Sequence, residues 1–195
     1  MDKNKDFTVE KAFRLALENH QKNNLKQAQD LYNQVLKIDP NYINAHNNLG
    51  IIFEQLGEIK KAADCYEKEI QINPNYSIPH NNLGGIFRKL GENQEAMDCY
   101  KKAIEIDPSY AQAHNNLGLI FKELGDYQEA KSCFEKAIEI DPSYAHAHNN
   151  LTGVYINQLI DFDKIISSSY RSLKLYHETS KFINQTVPLF RLKHD

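Results

Sequence analysis

The sequence contains no tryptophan, only three cysteines and two methionines, and no large surplus of one charge. Its 23 basic and 26 acidic residues leave a formal net charge of −3. They are interspersed, and no basic run forms the electrostatic footprint of a nucleic-acid binder. Nucleic acid is therefore not an expected partner. No apolar stretch approaches membrane-spanning length. The opening Met1-Asp2-Lys3-Asn4-Lys5-Asp6 is polar and leads into no apolar secretion-signal core. A cytoplasmic location is the default expectation. An odd cysteine count without such a signal argues against a disulfide framework. Nucleophile elbows, phosphate loops and zinc-protease helix motifs are all missing. No catalytic residue and no cofactor are expected, and the chain is read as a non-enzyme.

What the sequence does have is a period. Pro40, Pro74, Pro108 and Pro142 follow one another at 34-residue steps, as do Cys65, Cys99 and Cys133. His46, His80, His114 and His148 keep the step, and so do Leu49, Leu83, Leu117 and Leu151. Gly50, Gly84 and Gly118 are followed by Thr152 in their slot, and Gly57, Gly91 and Gly125 by Leu159. Ala28, Ala62, Ala96 and Ala130 complete the pattern. Self-similarity at such a period marks a repeat architecture.

Within the unit Ala111–Tyr144, Leu117, Ile120, Phe121 and Leu124 share one helical face. Gly125-Asp126 predicts a left-handed break. A second helix over about 127–140 carries Ala130, Phe134, Ala137 and Ile138 inward. Pro142 cannot continue it and biases Asp141 toward extended geometry. Gly118 and Ala130 are small where the two helices are expected to cross closely. One hairpin cannot bury its own apolar face, but stacked neighbours bury it jointly.

The residues His114, Leu117, Gly118, Phe121, Ala130, Phe134, Ala137 and Pro142 resemble the tetratricopeptide repeat, with histidine in the tryptophan slot. The resemblance implies an all-α fold, a right-handed superhelical α-solenoid of stacked antiparallel helix hairpins. The expected organisation is a flexible N-terminus (1–8) and a solenoid over 9–176. Its units are 9–42, 43–76, 77–110, 111–144 and a degenerate 145–176, followed by a tail over 177–195. The first unit is imperfect, with Ala16 for glycine and Asn23-Asn24 as its turn. In the last, Lys164 and Ser168 replace the small and aromatic residues of the second helix. Ile166, Tyr170, Leu173 and Tyr176 are spaced as a capping helix.

Histidines in register invite a metal reading. Equivalent positions in adjacent hairpins lie roughly 10 Å apart, whereas zinc needs nitrogens at about 2 Å. No metal site is expected. The cysteines fail by a similar margin, because a disulfide needs Cα atoms within about 7 Å.

The asparagines carry more information. Asn47-Asn48, Asn81-Asn82, Asn115-Asn116 and Asn149-Asn150 recur inside the first helix of successive units, where asparagine is a poor helix former. In the resembled family that helix lines the concave surface. The second member of each pair, Asn48, Asn82, Asn116 or Asn150, is expected to face it, and the first to be structural. A carboxamide offers donors and an acceptor together, as a peptide unit does. The pattern is similar to the superhelical repeats of O-linked N-acetylglucosamine transferases, whose asparagine ladder holds an extended chain. No glycosyltransferase domain follows here. Asn44, Gln112, Lys122 and Asn157 are further peptide-binding candidates, beside Ile51, Gln55, Arg88, Lys89, Leu119 and Glu123. The paired-basic slots of a chaperone-tail carboxylate clamp carry neutral Asn82 and Asn116 instead. The leading expectation is a protein-interaction scaffold that binds an extended peptide or partner protein in an asparagine-lined groove. One alternative is the recruitment portion of an enzyme system such as a glycosyltransferase or sulfotransferase. Another is a solenoid that associates weakly with itself through end faces around Ile165 and Ile166.

Overall fold

The computed structural model describes residues 3–158, with side chains from 8 to 156. The described residues form nine α-helices and no strand. They are α1 (Lys3–Gln21), α2 (Leu25–Ile38), α3 (Ile43–Gln55), α4 (Ile59–Ile72), α5 (Ser77–Leu90), α6 (Asn93–Ile106), α7 (Ala111–Leu124), α8 (Tyr127–Ile140) and α9 (Ala145–Gln158). The fold is an all-α helical repeat. It divides into two compact units, 1–107 and 108–195. The first holds the hairpins α1–α2, α3–α4 and α5–α6. The second holds the hairpin α7–α8 with α9 packed against it. The segment 1–8, expected to be a flexible lead, contains the start of α1 at Lys3. The expected capping helix and tail lie outside the described residues.

Each hairpin turns where the sequence supplies a left-handed residue. Gly57, Gly91 and Gly125 adopt φ of 73°, 79° and 85°, and Asn23 serves the first hairpin at 60°. Asparagine tolerates this region better than other side chains. The turn ties off the carbonyls that a helix end leaves unpaired. Gly91 N donates to Arg88 O at 3.0 Å and Glu92 N to Phe87 O at 2.9 Å. Between hairpins, the side chains of Asp39, Asn73 and Asp141 accept from the backbone nitrogens of Asn41, Asn75 and Ser143 at 3.0, 3.2 and 2.9 Å. Aspartate and asparagine favour turns through this bond.

In the hairpins α3–α4, α5–α6 and α7–α8 the glycine of the first helix lies against the aromatic of the second. A Cβ built on Gly50, Gly84 or Gly118 would lie 2.5, 2.7 or 2.7 Å from the ring of Tyr66, Tyr100 or Phe134. The glycine therefore makes room for the aromatic of the second helix, and Ala130 is buried in the same core. The aromatics Tyr32, Tyr66, Tyr100 and Phe134 are the largest fully buried side chains.

The first helix shows how the array begins. In later A helices three slots are buried, as Ala45, Leu49 and Ile52 illustrate. In α1 the same slots hold Lys11, Leu15 and Glu18, all exposed. Leu15 is 46% exposed and Leu49 only 2%. Two of these three outward residues are charged, so this face of α1 is polar where the matching face of the later helices is buried.

Candidate functional site

The asparagine pairs lie in the middle of α3, α5, α7 and α9, and within each unit a side-chain bond joins two of these helices. In the first unit Asn82 Nδ2 donates to Asn47 Oδ1 at 3.3 Å, and Asn81 Nδ2 donates to Asn82 Oδ1 at 3.4 Å. The second unit repeats the arrangement. Asn150 Nδ2 donates to Asn115 Oδ1 at 2.8 Å, and Asn115 Nδ2 donates to Asn116 Oδ1 at 3.4 Å. The first members Asn81 and Asn115 are buried, at 2% and 4% exposure. The second members Asn48, Asn82, Asn116 and Asn150 are half-buried. Each inter-helix bond therefore runs from the second asparagine of one helix to the first asparagine of the helix before it.

A second row of bridges lies two turns further along the same helices. Lys89 of α5 forms an ion pair with Glu54 of α3, whose carboxylate also accepts the Tyr66 hydroxyl at 2.7 Å. His20 of α1 is held to Gln55 of α3 by a side-chain hydrogen bond. Lys122 of α7 reaches α9, with Nζ 2.9 Å from where a Gly153 Cβ would stand. Lys89 is exposed and paired, and Lys122 reaches from one helix to another. Asn44 and Gln112 are exposed near the starts of α3 and α7. The side chain of Asn157 lies outside the described residues. An open depression of about 650 Å³ on α2, lined by Leu25, Lys26, Asp30 and Leu31 among others, includes none of the candidates.

The inter-helix amide bonds, the Glu54–Lys89 pair and the His20–Gln55 bond each step by 35 residues, one more than the repeat, because the bonded positions on successive A helices are offset by one. Pairing complementary residues at that spacing, Glu54 with Lys89 or Asn47 with Asn82, would have found them in the sequence. Comparing like positions at 34 hides them.

The histidines and cysteines play structural parts. The Nε2 atoms of His46, His114 and His148 lie 2.9, 3.1 and 3.1 Å from the carbonyls of Pro40, Pro108 and Pro142. Each ring thereby ties the start of a helix to the turn before it. Cys65, Cys99 and Cys133 are free. Burial pushes their thiols up to about 12, 11 and 11, and neighbouring carboxylates add to the shift. Such thiols stay protonated and unreactive at neutral pH. Among the described residues no group of three or more His, Cys, Asp or Glu could hold a metal ion. No helix among them is long and apolar enough to cross a membrane.

Helix hairpins closed by glycine turns, stacked through small-residue slots and bridged along one helix of each pair define a helical-repeat protein. Two family models agree. One for the TPR repeat matches residues 17–57 and 84–125, and one for the tetratricopeptide repeat matches 43–76 and 111–144. Together they span more than half of the chain, which belongs to the tetratricopeptide-repeat family. Members of that family are generally non-catalytic scaffolds. Among curated proteins none is significantly similar in sequence. Among solved structures, the chain is similar to MamA, with 24% identity and a TM-score of 0.70 over 85% of this chain and 96% of that one. Similarity to PilF of Pseudomonas aeruginosa gives 20% identity and a TM-score of 0.85 over 97% and 86%. YrrB, described as a TPR protein with an unusual peptide-binding site, gives 20% and 0.65 over 91% and 90%. At these identities the likeness establishes the fold alone.

Proposed function

We propose that this chain is a protein-interaction scaffold whose A helices hold an extended peptide against their half-buried asparagines. The observation that carries the proposal is the inter-helix amide bond, Asn82 to Asn47 in one unit and Asn150 to Asn115 in the other. A bridged carboxamide is fixed in direction before any ligand arrives, which lowers the ordering cost of binding. Asn82 uses one of its two N–H groups on Asn47, and its oxygen accepts from Asn81. One donor and one acceptor site remain in its inventory, the complement of one peptide unit. Because the rungs address the backbone, recognition depends little on the ligand's sequence. The resemblance to the arrays of O-linked N-acetylglucosamine transferases supports this reading, as does the description of YrrB. In the first unit the pairing of Lys89 with Glu54 favours a ligand of mixed or low charge over an acidic tail.

A net hydrogen bond contributes about 0.5–1.5 kcal/mol, so the rungs alone support affinity near micromolar or weaker. Replacing Asn82 and Asn116 together by alanine is expected to weaken capture of extended peptides on an array about tenfold or more. The melting temperature should move by only a few degrees. Undiminished capture with a large drop in melting temperature would make the asparagines structural alone and defeat the proposal.

A further inference from the structure

The joint between the second and third hairpins departs from its counterparts in several slots. One inward position of the B helices is held in turn by Val35, Glu69, Ala103 and Ala137, and all four are fully buried. Glu69 is the ionisable member of this set, and neither of its carboxyl oxygens has a hydrogen-bond partner. It lies on α4, which packs against both α3 and α5. The start of α5 differs too. Ala45, Ala113 and Ala147 each donate a 3.0 Å bond to the carbonyl of the tyrosine three residues earlier. The matching residue in α5 is Pro79, which has no N–H to donate to Tyr76. One residue on, His80 Nε2 is buried and faces the Pro74 carbonyl outside hydrogen-bonding geometry.

The groups around Glu69 supply no counter-charge. On its own helix it acts on Cys65, whose thiol burial keeps neutral, and on Tyr66. Tyr66 donates its hydroxyl to Glu54 of α3, a second carboxylate. From the α5 side Glu69 acts on Tyr76. Burial lowers the pKa of the His80 imidazole, and Lys102 of α6 lowers it further. A buried carboxylate without a partner is strongly disfavoured, so the closed joint accepts this side chain as the neutral acid.

We propose that the joint between α4 and α5 is a protonation-gated hinge, closed while Glu69 is neutral and opened by water when Glu69 ionises. Burial raises the carboxyl of the closed form to about 8, from an ordinary value of 4.5 that the opened form regains. Between those values the opening constant rises about tenfold per pH unit, and outside them it is flat. The Asn82–Asn47 bond and the Glu54–Lys89 pair join α3 directly to α5. They tether the two hairpins while the α4–α5 contact parts.

Hydrogen-exchange mass spectrometry on the full chain between pH 6 and 8.5, corrected for intrinsic exchange, tests the hinge. Protection in α5 and the second half of α4 is expected to fall by about tenfold per unit up to about pH 8 and to level off above it, while α1 and α2 hold theirs. Glu69→Gln should abolish the slope. If that variant fails to fold, Glu69→Ala takes its place with the residue found at 103 and 137. No slope in the wild type, a slope that survives the substitution, or a loss spread evenly over α1–α6 would each overturn the hinge.

Discussion

Truncating Phe134 to alanine is expected to cost about 3–5 kcal/mol, the upper range for a buried aromatic. Phe134 is fully buried on α8 and packs in one cluster with Ala130, Leu151, Val154 and Tyr155. Its ring fills the space that Gly118 leaves open, 2.7 Å from where a Cβ would stand. Removing the ring leaves a glycine facing an alanine, with no side chain able to close the gap. Because the same cluster contains α9 residues, the loss reaches both the α7–α8 crossing and the packing of α9. Urea denaturation followed by circular dichroism measures the change. A cost below about 1 kcal/mol would mean that the site collapses and that the glycine-aromatic crossing does not hold the hairpin.

Replacing Glu69 by alanine is expected to act in the opposite direction, and the gain should depend on pH. The carboxyl has a raised pKa in the folded chain, about 8 against an ordinary 4.5. The folded state therefore keeps its proton after the unfolded state has lost it. Stability contributed by this group is fully present below about pH 4.5 and is lost as pH rises toward about 8. The slope is about 1.4 kcal/mol per pH unit. Glu69→Ala removes the slope. The variant should outlast the wild type by several kcal/mol at pH 8.5, and the gap should shrink by most of that amount at pH 4.5. Urea midpoints at the two pH values give the comparison. A pH-independent difference would mean that Glu69 ionises freely in the folded chain.

Most of the fold was legible because the repeat is written in residues with few substitutes. Gly125 was read as a left-handed break and Pro142 as a stop, and α8 spans Tyr127–Ile140 as expected. Packing between helices was less legible. Gly118 was read as small beside Ala130, and the Phe134 ring that its missing Cβ admits was not foreseen. The asparagines were placed on the A helices, the first of each pair as structural and the second as facing the groove. Their bonds to neighbouring helices depend on a one-residue offset that a comparison at fixed period cannot show. The inter-helix contacts of Lys89 and Lys122 were hidden for a related reason, because a long side chain reaches a partner on another helix that its own repeat does not contain. Glu69 escaped notice because it departs from a small-residue slot while keeping good helix propensity, so neither the pattern nor the local chemistry flagged it. The charged outer face of α1 follows the same logic. Lys11 and Glu18 look like ordinary surface residues until the buried slots they occupy are counted from the later helices.

The binding face is tested most directly by the side-chain amide signals of the asparagines in the intact chain. Two-dimensional ¹⁵N–¹H spectra recorded while an unstructured, weakly charged peptide is titrated in should show the Nδ2 resonances of Asn48, Asn82, Asn116 and Asn150 shifting together and saturating. Shifts confined to α2, α4, α6 and α8, with those four amides unmoved, would contradict a ligand held along the A helices.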